Sequence, residues 1–76
     1  MATKLAKAFG LALRDTRKKR ALSLLDLSVS SGVDKSYIWN LEHGRKNVSL
    51  EAVFRLSDAL EVPAAELVKL TAKYLD

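Results

Sequence analysis

SLLDLSVSSGVDKSYIWNLEHG, Ser23 to Gly44, holds two short amphipathic segments on either side of one glycine. Ser23-Leu24-Leu25-Asp26 has the form of a capping box: the serine hydroxyl covers an orphan amide, and Asp26 favours the positive end of the helix dipole. A helix is expected from Leu24 to about Ser30. Gly32 stops it, because glycine tolerates a left-handed cap. Asp34 can then accept from the amides two and three residues on and start a second helix, Lys35 to about His43, which Gly44 ends. Leu27, Val33, Ile38 and Leu41 are spaced to anchor this pair of helices, and Ser28 is small where they cross.

Outward from this run, the chain reads as further helices. Leu5, Phe9, Leu13 and Thr16–Arg17 recur at helical spacing, thickened by Ala6, Leu11 and Ala12, and predict a helix over about residues 3 to 20. Gly10 inside it should weaken it by about 1 kcal/mol relative to alanine. Ser49 is placed to cap a fourth helix, Leu50 to about Leu60, burying Leu50, Val53, Leu56, Ala59 and Leu60. Pro63 suits the first turn of a fifth helix, which carries Leu67, Val68, Leu70, Thr71, Tyr74 and Leu75. Strand patterning is absent. The expectation is one all-α, five-helix domain over residues 1–76, without repeat or linker.

Composition narrows the classes. Apolar residues are 49% of the 76, enough for a core and too many for a disordered segment. A domain this small buries only about 60% of its unfolded surface. With no cysteine there is no disulfide staple, and with no Cys/His cluster there is no metal; no cofactor is called for. Support from a partner chain is therefore expected. Nothing approaches the roughly 20 apolar residues of a membrane span, and AFGLAL is too short for a secretory core. A cytoplasmic protein is the expectation. Net charge is +4 and unevenly spread: residues 1–46 hold ten Lys/Arg against four Asp/Glu, residues 47–76 three against five. A run such as Arg17-Lys18-Lys19-Arg20 can be a solvated helix face, but a basic half joined to an acidic half fits a polyanion-binding face better.

Two short helices about a tight glycine turn are the pattern of a helix-turn-helix. Cap, small residue, glycine and four anchors stand in register, followed by Glu42 and Gly44. From about Leu11 to Leu67 the chain resembles the Cro and phage-repressor, or lambda-repressor-like, family, most clearly in SGVDKSYI, LEHG and SLEAVFRLSDALEV. The resemblance implies a five-helix DNA-binding domain with its motif over about 24–43, acting as a homodimeric transcriptional regulator on double-stranded DNA. It implies an Arg17–Glu42 structural pair. It places Lys35, Ser36 and Asn40 at base-reading positions of a helix that enters the major groove, where Asn suits adenine and Lys guanine. Arg45 and Lys46 match a phosphate-touching loop, and Tyr37 and His43 are further phosphate candidates. Tyr37 can equally be a half-buried ring on the second helix, and His43 an exposed helix end. The family commonly has a glutamine where this chain has Leu24, an alanine at Ser28 and a proline at Val48, which alters the contact set rather than the fold.

Trp39, the only tryptophan, falls outside the buried line and on the face of Lys35, Ser36 and Asn40. It reads as an edge contact in the groove; the alternative is packing beside the fourth helix or in a dimer. On the last helix, Val68, Thr71, Tyr74 and Leu75 have room for a second stripe, expected as the dimer interface. A two-fold dimer would hold its recognition helices about 34 Å apart and require a palindromic operator. Within the family a phage-type repressor and a restriction-modification controller both fit. The rival class is a protein-binding module, such as an antitoxin. Catalysis lacks any nucleophile–base or paired-carboxylate grouping. A membrane-surface role for the basic first helix would take the apolar side that the core needs.

Overall fold

The computed structural model of the chain describes residues 3–76. It consists of α1 Lys4–Lys19, α2 Leu24–Ser31, α3 Lys35–Glu42, α4 Leu50–Ala59 and α5 Ala64–Leu75, with no strand among the described residues. The starts follow from the caps. Thr3 accepts from Ala6 N at 3.0 Å, and Ser49 from Ala52 N at 3.1 Å. Asp34 accepts from Ser36 N and Tyr37 N at 3.1 and 3.3 Å. At α2 the capping box is complete: Asp26 N donates to Ser23 Oγ at 2.9 Å, and Ser23 N to Asp26 Oδ2 at 3.0 Å. The amide and then the hydroxyl of Ser23 hold the Asp26 carboxyl below its ordinary range. That contribution to stability is present above the ordinary carboxylate range and is lost as acid protonates the folded group.

Between α2 and α3, Gly32 turns the chain at φ +71°. Ser28 Oγ donates to Val33 O at 2.7 Å, and Ser31 Oγ accepts from Val33 N at 3.1 Å, so the turn's backbone is satisfied from inside α2. Fully buried Leu13, Leu27, Ile38, Leu41, Leu56, Leu60 and Leu67 draw one side chain or more from every helix into a single core, joined by Phe9 and Val53.

Several expectations change. Leu5, Leu11 and Leu50 are 55%, 43% and 72% exposed, because α1 buries Ala6, Ala8, Phe9, Gly10, Ala12 and Leu13, and α4 faces inward through Ala52, Val53, Leu56 and Ser57. Ala59 is only half-buried. Pro63 is the cap residue of α5 rather than part of its first turn. Thr71 leaves the exposed stripe: it is buried, its hydroxyl donating to Leu67 O at 2.8 Å. Tyr74 stays 40% exposed and donates its hydroxyl to Asp15 of α1. The outward stripe of α5 is Ala65, Val68, Ala72 and Leu75.

Gly10 is the point where α1 crosses α3. A Cβ there would lie 2.3 Å from Leu41 O and 2.8 Å from Glu42 O, both backbone atoms. The glycine therefore weakens α1 as a helix and permits its packing. Two turns further along, Arg17 grips the end of α3. Its Nε and Nη2 donate to Glu42 Oε2 and Oε1 at 2.6 and 2.8 Å, and its Nη1 to Leu22 O at 2.9 Å. Glu42 is 5% exposed. The hydrogen bonds to the Glu42 carboxylate raise the Arg17 pKa further above its ordinary value. α1 and α4 both end in left-handed residues that are not glycine, Ala21 at φ +56° and Glu61 at φ +59°. Leu22 N→Arg17 O and Val62 N→Ser57 O close these two ends, each costing about 1–2 kcal/mol of local strain.

Two stability tests follow. Gly10→Ala should lower stability by about 1–3 kcal/mol in denaturant unfolding although alanine is the better helix former; a gain would mean that the crossing is looser than described. Glu42→Gln should cost about 3–5 kcal/mol by stranding Arg17, whereas the double change Arg17→Met with Glu42→Leu should recover most of the loss. Equal destabilisation by the single and double variants would refute that view of the pair.

Candidate nucleic-acid interface

The anchors Ile38 and Leu41 bury one side of α3, which leaves Lys35, Ser36, Trp39 and Asn40 on the other. Positions i, i+1, i+4 and i+5 share a helical face, and these four side chains line one shallow open depression. Asn40 Nδ2 donates to Ser36 O at 3.0 Å. One of its N–H groups and Oδ1 remain, the donor–acceptor pair that an adenine edge takes. The Asp34 carboxylate is turned back onto the amides of α3, which removes much of its repulsion toward an approaching polyanion.

At the far end of α3, Gly44 at φ +68° reverses the chain, with Gly44 N→Leu41 O at 3.1 Å and Arg45 N→Asn40 O at 2.9 Å. A Cβ on Gly44 would also lie 3.0 Å from Lys7 Cα, so α1 approaches here a second time. The reversal projects Arg45 and Lys46 into solvent, and neither forms an ion pair among the described residues. Tyr37 is half-buried against the core, but its hydroxyl reaches α4 rather than α2, accepting from Ser49 N at 3.2 Å. The phenolic hydrogen stays free to donate outward.

Trp39 is 39% exposed. Its ring stacks on His43, centroids 3.7 Å apart at 18°, and the Arg45 guanidinium carbon lies 5.2 Å from the indole centroid. His43 Nδ1 is 2.8 Å from Trp39 O; a carbonyl only accepts, so Nδ1 carries the hydrogen. Nε2 then faces Arg14 Nη2 at 3.5 Å. Arg14 also sits 3.5 Å from Glu42 Oε1, already bound by Arg17. Two guanidinium groups against one carboxylate leave a net positive charge at this end of α3.

Six of the expected contact residues, Lys35, Ser36, Trp39, Asn40, His43 and Arg45, thus form one continuous surface, with Lys46 beside it and Tyr37 behind it. Arg17 and Glu42 pair as expected. Arg14 was missed. Its signal was available in the sequence, since residue 14 lies three positions before Arg17 on the same side of α1. Leu24, at the position where the family often has glutamine, is half-buried on the core and brings no polar group to the surface.

Comparison with known proteins agrees with this geometry. The profile of the family described as helix-turn-helix domain matches residues 8–70. The chain is 39% identical over 59 residues to the HTH-type transcriptional regulator SlrR of Bacillus subtilis; the match takes in 76% of this chain and spans only 39% of SlrR. Among solved structures, the restriction-modification controller protein C.AhdI of Aeromonas hydrophila superposes with a TM-score of 0.79 at 39% identity, over 82% of this chain and 94% of that one. The clp gene regulator ClgR of Corynebacterium glutamicum gives 0.89 at 32%, over 99% and 80%. The chain belongs to the helix-turn-helix domain family.

Proposed function

We propose that the protein is a sequence-specific transcriptional regulator that binds double-stranded DNA as a homodimer, inserting α3 into the major groove of a palindromic operator in the cytoplasm of a bacterial cell. The observation that carries this reading is the outer face of α3. Lys35, Ser36 and Asn40 offer donors and acceptors on one surface, flanked by the exposed cations Arg45 and Lys46. Such a surface can pair with base edges and phosphates together. Similarity to SlrR supports the regulatory role. Similarity to C.AhdI supports a controller-type or repressor-type protein.

The dimer face rests on α5. Val68 and Leu75 are 55% and 38% exposed, and Val68 flanks an apolar groove lined also by Leu5, Phe9, Val48, Val53 and Thr71. The spacing of Ala65, Val68, Ala72 and Leu75 alternates three and four residues, the repeat that lets two helices interlock. A second reading, as a protein-binding module, draws on Leu25 and Val29, exposed at 59% and 76% one turn apart on α2.

Selection of bound duplexes from a random-sequence pool at about 0.15 M salt, a concentration where backbone attraction is largely screened, should enrich a palindrome with half-sites about one helical turn apart. Retention of only sequence-independent, salt-labile binding would instead favour the protein-binding module. On the selected duplex, Asn40→Ala should cost about 1–3 kcal/mol and relax preference at one base per half-site, while Arg45→Ala should weaken all duplexes alike. Equal losses on selected and random DNA would remove Asn40 from the base readers. Val68→Asp should shift sedimentation from dimer toward monomer and weaken the palindrome more than a single half-site; an unchanged sedimentation coefficient would move the interface elsewhere.

A further inference from the structure

The one tryptophan of the chain stands where a base reader is expected, yet its ring is already engaged. His43 stacks on it at 3.7 Å and Arg45 lies 5.2 Å from its centroid. We propose that Trp39 is a positioning residue: its indole holds Arg45 and His43 in place, and with Arg14 they form a preorganised clamp for one DNA phosphate at the C-terminal end of α3. This proposal rests on the DNA-binding reading above and assigns to Trp39 a role different from base contact.

The chemistry follows from what each group lacks by itself. Arg45 sits in a loop, and an arginine free in solvent gives up rotamer entropy whenever it closes on an anion. The ring face of a tryptophan attracts a guanidinium and orders it before the anion arrives. His43 is fixed twice, by the stack and by its Nδ1–H bond to Trp39 O at 2.8 Å. That bond directs Nε2 to Arg14 at 3.5 Å. Arg14 is held in turn by Glu42, whose charge Arg17 has already met through two bonds, so the Arg14 guanidinium keeps donors and charge to spare. Its side chain is 35% exposed, enough to reach an anion at the surface. The three groups come from α1, the end of α3 and the following loop, and the indole with its histidine links them. A phosphate held here would lock the register of Lys35, Ser36 and Asn40 on the bases without being read itself.

The test is a double-mutant cycle on DNA affinity, using the duplex enriched by selection and a random-sequence duplex of the same length. Trp39→Ala should weaken both by a similar factor, about threefold to tenfold, and should flatten the dependence of affinity on salt. In an Arg45→Ala background the same change should cost much less, and Trp39→Phe should restore part of the loss. Arg14→Gln should flatten the salt dependence in the same way. Trp39 fluorescence of the DNA-free protein should change on His43→Ala and on Arg45→Ala, which reads the platform without any DNA. A Trp39→Ala loss confined to the selected duplex and additive with Arg45→Ala would overturn the proposal and return Trp39 to the base readers, leaving the DNA-binding reading intact. Failure of the unaltered protein to bind either duplex would overturn both, and a melting curve on each variant identifies any loss that is merely unfolding.

Discussion

The Glu42 carboxylate is the constraint on which the rest of this small domain depends. It lies almost wholly buried at the end of α3, and a lone charge in that place would be costly. Arg17 neutralises it through two short bonds, and the same guanidinium donates to Leu22 O, where the chain turns from α1 toward α2. One side chain therefore ties three parts of the motif together: the long N-terminal helix, the start of the helix pair and the end of the helix that faces outward. Such a pair contributes little net stability relative to apolar residues of the same volume. What it fixes is direction, because the planar fork of arginine meets a carboxylate in few geometries.

The close approach at Gly10 makes that bond geometry reachable. With no side chain there, α1 lies against the carbonyls of Leu41 and Glu42, and the Arg17 guanidinium arrives level with the Glu42 carboxylate. The same contact leaves Arg14 on the solvent side of the carboxylate, facing His43. Packing and surface chemistry are thus coupled through α1: the face that buries Phe9 and Leu13 in the core also carries the arginines that set the charge at the end of α3. This is how a domain without a cysteine can hold the short helix Lys35–Glu42 rigidly enough to present side chains to a partner.

Much of the architecture was legible because its signals are local. A serine, threonine or aspartate satisfies amides two or three residues on whatever the rest of the chain does, so Ser23, Asp34 and Ser49 marked three helix starts correctly. Gly32 and Gly44 marked two ends for the same reason. Two other ends gave no such signal, since Ala21 and Glu61 adopt positive φ without being glycine or asparagine. Tertiary contacts carry them there; Arg20 Nη2, for instance, bridges to Glu61 O at 3.0 Å. Burial was less legible. Leu5, Leu11 and Leu50 fit the periodic stripe as well as the residues that are buried, and only the crossing of α1 over α3 and the tilt of α4 decide which edge of each stripe faces inward.

The sequence by itself determined the helix pair, its turn and the set of polar side chains on the outer face of α3, because spacing along a helix fixes which residues share a side, while the Arg17–Glu42 pairing followed only from the family resemblance. It also identified Trp39 as the apolar residue that does not belong to the core. The tertiary structure decided what the tryptophan touches. The stack with His43 is a one-turn contact within reach of sequence reasoning, but the approach of Arg45 depends on the reversal at Gly44, and that of Arg14 on how closely α1 passes at Gly10. It likewise turned Thr71 inward and bound the Tyr74 hydroxyl to Asp15, leaving Val68, Tyr74 and Leu75 as the exposed large apolar residues of α5. Helical periodicity states which side chains lie together on one helix; where two helices meet is set by the depth at which their smallest residues let the backbones approach.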